Sequence, residues 1–408
     1  MHVLYFHQHF TTPSGSTGTR SYEMAQRLIA RGHQVTMVCG SYKMGNTGMT
    51  GSERFTGVRE GIVDGIKVIE FSLPYSNYDS FLKRSWTFVK FAVGSVKIAL
   101  QSDYDLLFAT TTPLTAAIPG IVMKAVSNRP FVFEVRDLWP ELPKAMSVIT
   151  NPFIIKALDI LEWLAYHTAD ACIGLSPGIV EGITRRNISP AKVTMIPNGC
   201  DLDLFKPQTD AKRNLPGVSN DDFLAVFCGA HGKANGLDAI LDAAQVLKER
   251  KRGNIKLVMI GDGKLKPDLV QRAKAHQLDN CLFFDPVSKV ELAKILATAD
   301  VGLMVLANIP AFYYGTSPNK FFDYIASGLP VLNNYPGWLA ELIEHHNCGI
   351  VCSPDDPVSF AETLMKMADM PEETRLMGKN ARQLAESTFS REKLANQFAD
   401  YLEKVFDK

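Results

Sequence analysis

The sequence lacks several features that would place the chain in a special class. No run of about 18 uncharged apolar residues occurs, so we expect no membrane-spanning helix. The first ten residues carry neither a basic segment nor a long apolar one, which predicts that there is no signal peptide. The seven cysteines are scattered singly without a CxxC pair, which argues against a disulfide framework and a metal site. These absences predict a soluble cytoplasmic protein.

An excess of charge of one sign is also missing. The chain has 43 Lys and Arg against 43 Asp and Glu, and this balance argues against a nucleic-acid partner. Residues 1–200 hold 19 basic and 15 acidic side chains, so the first half is the part expected to meet an anionic group. A length of 408 residues predicts about two or three domains.

What the sequence does contain is a repeated alternation of strands and helices. The first half opens with a strand at 1–6, a glycine-containing loop, an amphipathic helix at 19–31 and a strand at 34–39. This order is a βαβ unit, which predicts a parallel sheet with right-handed crossovers. The second half repeats the pattern from 223 onward. We therefore predict an α/β fold of two doubly wound parallel-sheet domains, with a binding cleft between them.

The domain boundaries follow from the polar segment between the two sheets. We place the N-terminal domain at 1–202, a linker at 203–220 and the C-terminal domain at 221–388. The final helix, 389–408, is expected to pack back on the N-terminal domain.

Residues 313–331 form the segment most suggestive of chemistry. Thr316 and Ser317 precede Pro318, a pattern that predicts a capped helix whose free N–H groups suit a phosphate. Lys320 adds a charge to the first turn beside Asn319, and Asp323 lies one turn further, where it could accept two hydroxyls of a ribose. The alternative is an ordinary capped helix with a surface pair between Lys320 and Asp323.

Glycine-rich turns supply further candidate phosphate sites. Residues 229–236 follow a strand and include Gly229, Gly232, Lys233 and Asn235, although they lack the Walker pattern. An ordinary strand-to-helix turn is the alternative. Weaker candidates of the same kind are Gly15, Gly18 and Gly263.

Charged residues at a strand end indicate a cleft in the first half. Glu134, Arg136 and Asp137 follow one another at the end of an apolar strand, where unpaired charges are costly unless they face a ligand. Pairing of Arg136 with Asp137 or Glu134 is the structural alternative. His7 and His9 end the first strand at the same rim, and structural histidines would explain them equally well.

Residues 78–100 combine aromatic and basic side chains. Lys83, Lys90 and Lys97 are seven apart and share one helical stripe, with Arg84 and Trp86 beside them. Such helices lie in the interface of anionic membranes, whereas a core helix with a solvated basic edge is the alternative.

Together these segments resemble the family-4 glycosyltransferases, which are retaining enzymes of the GT-B fold. The likeness runs from the loop with Gly15 through Pro197-Asn198-Gly199 to the last helix. It is most similar to the WbuB-like branch found in bacterial surface-polysaccharide clusters, on residues 135–141, 232–237 and 316–320.

The resemblance implies a UDP-sugar donor on the C-terminal domain, an acceptor on the N-terminal domain and no required metal. The sugar is expected to be an N-acetylated hexosamine or deoxyhexosamine, and the acceptor a polyprenyl-diphosphate-linked saccharide in O-antigen or capsule synthesis. The protein would then be peripheral on the cytoplasmic face of the inner membrane. The family's second acid corresponds to Asp323, and the first falls on Gly315.

The resulting hypothesis assigns catalysis to four residues. Lys233 and Lys320 would stabilise the leaving diphosphate, and Arg136 and Asp137 would position the acceptor or the donor sugar. A nucleotide-sugar epimerase of the same architecture and a non-catalytic nucleotide-sugar-binding protein are the alternatives. A dehydrogenase is disfavoured because no GxGxxG follows the first strand of either half.

Overall fold

The structure is a computed structural model that describes residues 1–42, 45–49, 55–76, 78–208 and 213–408. Its contacts divide the chain into two units. Unit 1 comprises Met1–Asn198, Gly315–Ser317 and Glu392–Lys408, and unit 2 comprises Gly199–Tyr314 and Pro318–Arg391. Residues 209–212 of the predicted linker lie outside the described residues.

Each unit is built on one sheet. Within the described residues, the strands of unit 1 are β1 His2–Phe6, β2 Gln34–Tyr42, β3 Val58–Val63, β4 Ile66–Tyr75, β5 Leu106–Thr110, β6 Phe131–Val135, β7 Ala171–Gly174 and β8 Val193–Met195. Those of unit 2 are β9 Phe223–Cys228, β10 Ile255–Ile260, β11 Cys281–Phe284, β12 Val301–Met304, β13 Val331–Asn333 and β14 Gly349–Val351.

Helices lie between these strands along the chain. In unit 1 they are α1 Arg20–Ala30, α2 Phe81–Gln101, α3 Ile118–Ser127, α4 Glu141–Ala145, α5 Pro152–Thr168 and α6 Pro177–Thr184. The helices of unit 2 are α7 Asp238–Glu249, α8 Lys266–Ala275, α9 Lys289–Leu296, α10 Pro310–Tyr313, α11 Asn319–Ala326, α12 Trp338–His345, α13 Pro357–Asp369 and α14 Pro371–Ser387. The last helix, α15 Arg391–Phe406, belongs to unit 1 from Glu392 onward. Helices α13, α14 and α15 follow the last described strand, β14.

The sheet of unit 1 has the order β3-β4-β2-β1-β5-β6-β7-β8, and β3 alone among its described strands runs antiparallel, paired with β4. Val3 of β1 lies opposite Val35 and Leu106, which sets the register at the centre of the sheet. Both faces are covered, as a parallel sheet requires. On one face Phe398 of α15 packs against Phe108, with 5.0 Å between ring centroids.

The sheet of unit 2 has the order β11-β10-β9-β12-β13-β14, and its described pairs are all parallel. One core joins β9, β10 and β12 to α7 and α13 through residues such as Phe227, Leu257 and Leu303. The predicted fold class, two doubly wound parallel-sheet domains of the α/β type, is confirmed. Strand order places the carboxyl ends of β9, β10 and β12 side by side, and the loops that follow them carry the candidate residues of this unit.

Candidate functional site

The loop after β9 meets the beginning of α11. The Lys320 Nζ donates a hydrogen bond of 2.6 Å to the Asn235 Oδ1 and lies 4.0 Å from the centre of the Phe227 ring. Gly229 has a φ of +145°, and a Cβ there would lie 3.3 Å from the Lys320 Cε. A larger residue at 229 would therefore be strained and would crowd the lysine. The two segments predicted from sequence to bind phosphate are thus in contact.

Lys320 carries a charge that no carboxylate in the described part of the chain neutralises. It is partly buried, and among the described residues it forms no ion pair with a carboxylate. Removal from water lowers the pKa of its ammonium group to about 8. A cation held in this way gains most when an anion, such as a diphosphate, binds next to it.

Asp323 pairs with a lysine that the sequence did not single out. Its Oδ2 accepts a hydrogen bond from the Lys289 Nζ, and the Asp323 residue is only 3% exposed. Lys289 opens α9, which is capped by the Ser288 side chain. The alternative of a surface pair between Lys320 and Asp323 is therefore wrong, because each side chain has another partner.

The start of α11 also differs from the prediction. Pro318 itself is the N-cap residue, and no side chain caps the helix. Ser317 is instead engaged by Asn198, whose backbone N–H donates to the Ser317 Oγ at 3.1 Å and whose Nδ2 donates to the Ser317 carbonyl. The prediction that Thr316 and Ser317 cap the helix was wrong, and the Ser317 hydroxyl instead accepts from the Asn198 backbone N–H. Asn319, the first helical residue, is exposed.

The remaining glycines of this region have different surroundings. A Cβ at Gly232 would meet no atom within 4 Å, so the loop faces open space beside the exposed Lys233. A Cβ at Gly263 would come within 2.4 Å of the His231 carbonyl oxygen, so a side chain does not fit there. Gly232 and Lys233 are therefore free to approach a ligand, whereas Gly263 permits two loops to touch.

His231 was not assigned a role from the sequence, and its burial distinguishes it. The residue has no exposed surface, and within the described part of the chain neither ring nitrogen has a hydrogen-bond partner. Burial, with a smaller contribution from Lys266, lowers its pKa to about 4, so the ring is neutral at pH 7. Only the pattern Gly-Ala-His after a buried strand could have drawn attention to it.

In unit 1, Glu134 is the centre of a buried ion-pair network. It is fully buried and accepts hydrogen bonds from Arg20 Nε and Nη2 at 2.9 and 2.7 Å and from Thr110 Oγ1 at 2.8 Å. Arg136 Nε adds a longer bond of 3.3 Å. Burial alone would raise the pKa of Glu134, but the two arginines outweigh it and lower the pKa. Glu134 thus orients Arg136, and Arg20 is a partner that sequence reasoning missed.

Arg136 extends this network toward the predicted acceptor residues. Its Nη2 donates to the Ser21 hydroxyl at 3.2 Å, and its Nη1 lies 3.5 Å from the His7 Nε2. Burial first, and Arg136 second, lower the pKa of both His7 and His9, to about 4 for His9. Both rings are therefore neutral at pH 7 and can only offer hydrogen bonds. Asp137 accepts a bond of 3.2 Å from Thr112 Oγ1, and burial raises its pKa.

The loop between β1 and α1 belongs to the same unit. Gly15 is buried, and its backbone N–H donates to the Thr12 carbonyl at 3.0 Å. Gly18 is partly buried and lies two residues before α1 begins at Arg20.

Helix α2 exposes a stripe of apolar side chains together with most of its cations. Leu82, Trp86, Val89 and Val93 are exposed by 80%, 60%, 44% and 66%, and we call them the α2 apolar stripe. The Lys90 Nζ lies 5.6 Å from the centre of the Trp86 ring, Lys97 is exposed, and Lys83 pairs with Asp79. Arg84 differs, since it is partly buried. Among the described residues no helix is long and apolar enough to cross a membrane.

Comparison with known proteins assigns both halves of the chain. A family described as "Glycosyl transferase 4-like domain" matches residues 15–199, and one described as "Glycosyl transferases group 1" matches residues 208–384. Together the two matches cover most of the chain, and they identify it as a nucleotide-sugar-dependent glycosyltransferase of the GT-B type.

Individual relatives are more distant. The chain is 24% identical over 308 residues to the probable glycosyltransferase WbjE of Pseudomonas aeruginosa. This alignment covers 74% of this chain and 76% of WbjE. Several other curated relatives align over only about half of their own length.

Solved structures share the fold at low identity. Sucrose-phosphate synthase from Thermosynechococcus elongatus has a TM-score of 0.77 at 19% identity, over 100% of this chain and 99% of that one. Anabaena HepE in complex with UDP and glucose has a TM-score of 0.71 at 18% identity, over 98% of this chain and 99% of that one.

Proposed function

We propose that this glycosyltransferase moves a sugar from a UDP-sugar to a polyprenyl-diphosphate-linked saccharide in the synthesis of a bacterial surface polysaccharide. The observation that carries the donor part is Lys320, a partly buried cation without a carboxylate partner among the described residues, held against the glycine loop after β9. HepE, which shares the fold, has been solved with UDP. The sugar is proposed to be an N-acetylated hexosamine or deoxyhexosamine, on the sequence resemblance.

The proposed mechanism is a front-face displacement with retention at the anomeric carbon. The bond from the anomeric carbon to the diphosphate breaks as the acceptor oxygen attacks from the same side, and the acceptor proton passes to the departing diphosphate. Lys320 and Lys233 would stabilise the negative charge that develops on the leaving group. Arg136, which Glu134 and Ser21 hold in place, and Asp137 would position the acceptor hydroxyl. No metal is included, because the two lysines would meet the charge of the diphosphate.

A donor panel tests the reaction. We would measure thermal protection by UDP, GDP and ADP, and then UDP release from a set of UDP-sugars with a polyprenyl-linked acceptor pool. Protection by UDP and acceptor-dependent UDP release are the expected results. An isomerised sugar from donor alone would indicate the epimerase, and binding of UDP without any transfer would indicate a non-catalytic protein.

Membrane association is the second part of the proposal, and the α2 apolar stripe supports it. Exposed tryptophan and aliphatic side chains beside Lys90 and Lys97 have the composition of an interfacial helix. Flotation with vesicles of phosphatidylglycerol should carry the wild type upward, and Trp86→Gln with Lys90→Gln should reduce that fraction. Lys404→Gln, on the exposed side of α15, is the matched control. Absence of wild-type binding to anionic vesicles would contradict the membrane assignment.

A further inference from the structure

Unit 1 contains an apolar cavity of about 520 Å³. Its wall is formed by the first half of α2, the segments after β5 and β6, α4 and the beginning of α5. Most of the lining is aliphatic or aromatic, including Phe88, Leu114, Trp139, Leu142 and Met146. This volume is in the range of pockets that hold a small organic ligand. The cavity therefore has room for a short hydrocarbon segment.

The lining of the cavity also includes polar residues and part of an exposed surface. Thr112 and Asp137 line it at the carboxyl ends of β5 and β6, beside Arg136. The lining also includes Leu82 and Val89, two exposed members of the α2 apolar stripe. The cavity thus joins the predicted acceptor residues to the surface proposed to lie on the membrane.

One cation in the lining has no carboxylate partner among the residues that the structure describes. Arg84 is partly buried and forms no ion pair within the described part of the chain. It lines the cavity together with Tyr75, and its buried Nε has no hydrogen-bond partner among the described residues. A guanidinium group suits the geometry of a phosphate, and a partly buried one without a carboxylate is complementary to an anion.

We propose that this cavity binds the first isoprene units of the acceptor lipid and that Arg84 contacts the adjoining phosphate. The inference rests on the proposed function, because the lipid in the cavity is part of the polyprenyl-linked acceptor proposed there. Asp137 decides between substrate and bulk lipid as the occupant, because a chain that ends beside a predicted catalytic residue belongs to the molecule that reacts there. The apolar wall then excludes water from the hydrocarbon chain, and Arg84 meets the charge of the phosphate.

Photolabelling with a diazirine-bearing farnesyl diphosphate tests the site. We expect label on residues 139–158 of the wild type. Leu142→Gln with Met146→Gln should lower it about tenfold or more, because two apolar contacts are lost. Arg84→Gln should lower it similarly. Val126→Gln and Lys404→Gln, both exposed and outside the cavity, should label as the wild type does.

Thermal protection by UDP, which depends on the other unit, separates loss of binding from loss of folding. If the double variant loses that protection, Val89→Gln at the exposed rim takes its place. Label that maps elsewhere, that is unchanged in the cavity variants, or that phosphatidylglycerol displaces as well as polyprenyl phosphate does would overturn the proposal. Cavity labelling without transfer to any polyprenyl-linked acceptor would instead refute the proposed function and leave an isoprenoid site.

Discussion

Lys320 should take up a proton when UDP binds. Its pKa is about 8 in the free protein, because the ammonium group is partly removed from water without a carboxylate partner among the described residues. A bound diphosphate should return the pKa toward its ordinary value of about 10.4. At pH 9 the free enzyme would then hold about 0.1 proton on this group and the complex nearly one, an uptake of about 0.9 proton. At pH 7 both states are protonated and the uptake by this lysine is close to zero.

Titration calorimetry in buffers of different ionisation enthalpy measures this uptake directly. The affinity for UDP should fall by about tenfold per pH unit above pH 8. Lys320→Met should abolish the uptake at pH 9 and weaken UDP binding by about tenfold or more, since a charge-assisted hydrogen bond contributes about 1.5–3 kcal/mol. Tight binding of UDP by the wild type at pH 9 without proton uptake would refute the assignment of Lys320 to the diphosphate.

The same lysine makes an opposite prediction for stability. Because its folded pKa lies below its unfolded pKa, the unfolded chain binds more protons between about pH 8 and 10.5, and stability should rise with pH in that window. The gain is at most about 3 kcal/mol for a shift of this size, and less because the side chain is only partly buried. Lys320→Met should therefore lose activity without losing stability at pH 7. A variant that unfolds more easily by urea denaturation would indicate a structural role.

Three further predictions concern other parts of the molecule. Asp323→Asn should cost about 3 kcal/mol or less in urea unfolding, because the partly buried Lys289 loses its carboxylate partner; adding Lys289→Met should restore stability but not UDP affinity if Asp323 holds the ribose. Glu134→Gln should cost a similar amount of unfolding free energy. The unfolding free energy of this variant should also fall less steeply toward acid pH than that of the wild type, because the wild type loses the contribution of Glu134 as pH falls through its lowered pKa. Glu362→Gln is the exposed control. Turnover should change less than about twofold in EDTA if the lysines alone meet the diphosphate charge; a loss reversed by Mg²⁺ would contradict this.

The strands and the glycine loops could be predicted because they leave local signals. Apolar runs that end at glycine predicted β9 and the loop that holds Asn235, and in a parallel sheet that position is an edge where ligands bind. The partners of the charged residues could not be predicted in this way. Lys289 lies 34 positions before Asp323, and Arg20 lies 114 positions before Glu134. Such pairs depend on how strands are ordered in the sheet, which periodicity does not encode.

The difference between a structural and a functional cation in this protein lies in whether a carboxylate accompanies it. Arg20 is buried and Lys289 is partly buried, and each faces a buried acid, so their charges are satisfied within the fold. Lys320 and Arg84 are partly buried, and neither pairs with a carboxylate among the described residues; Lys320 bonds to the Asn235 amide oxygen, and Arg84 lines the cavity beside Tyr75. Burying a charge next to a neutral partner lowers stability, and a ligand that brings the missing anion recovers it. One ligand anion at each of the two positions, a nucleoside diphosphate at Lys320 and a lipid phosphate at Arg84, accounts for both cations by the same reasoning. Replacing each by a neutral side chain should therefore weaken one ligand and leave the other unaffected, a pattern that a purely structural role for either residue would not produce.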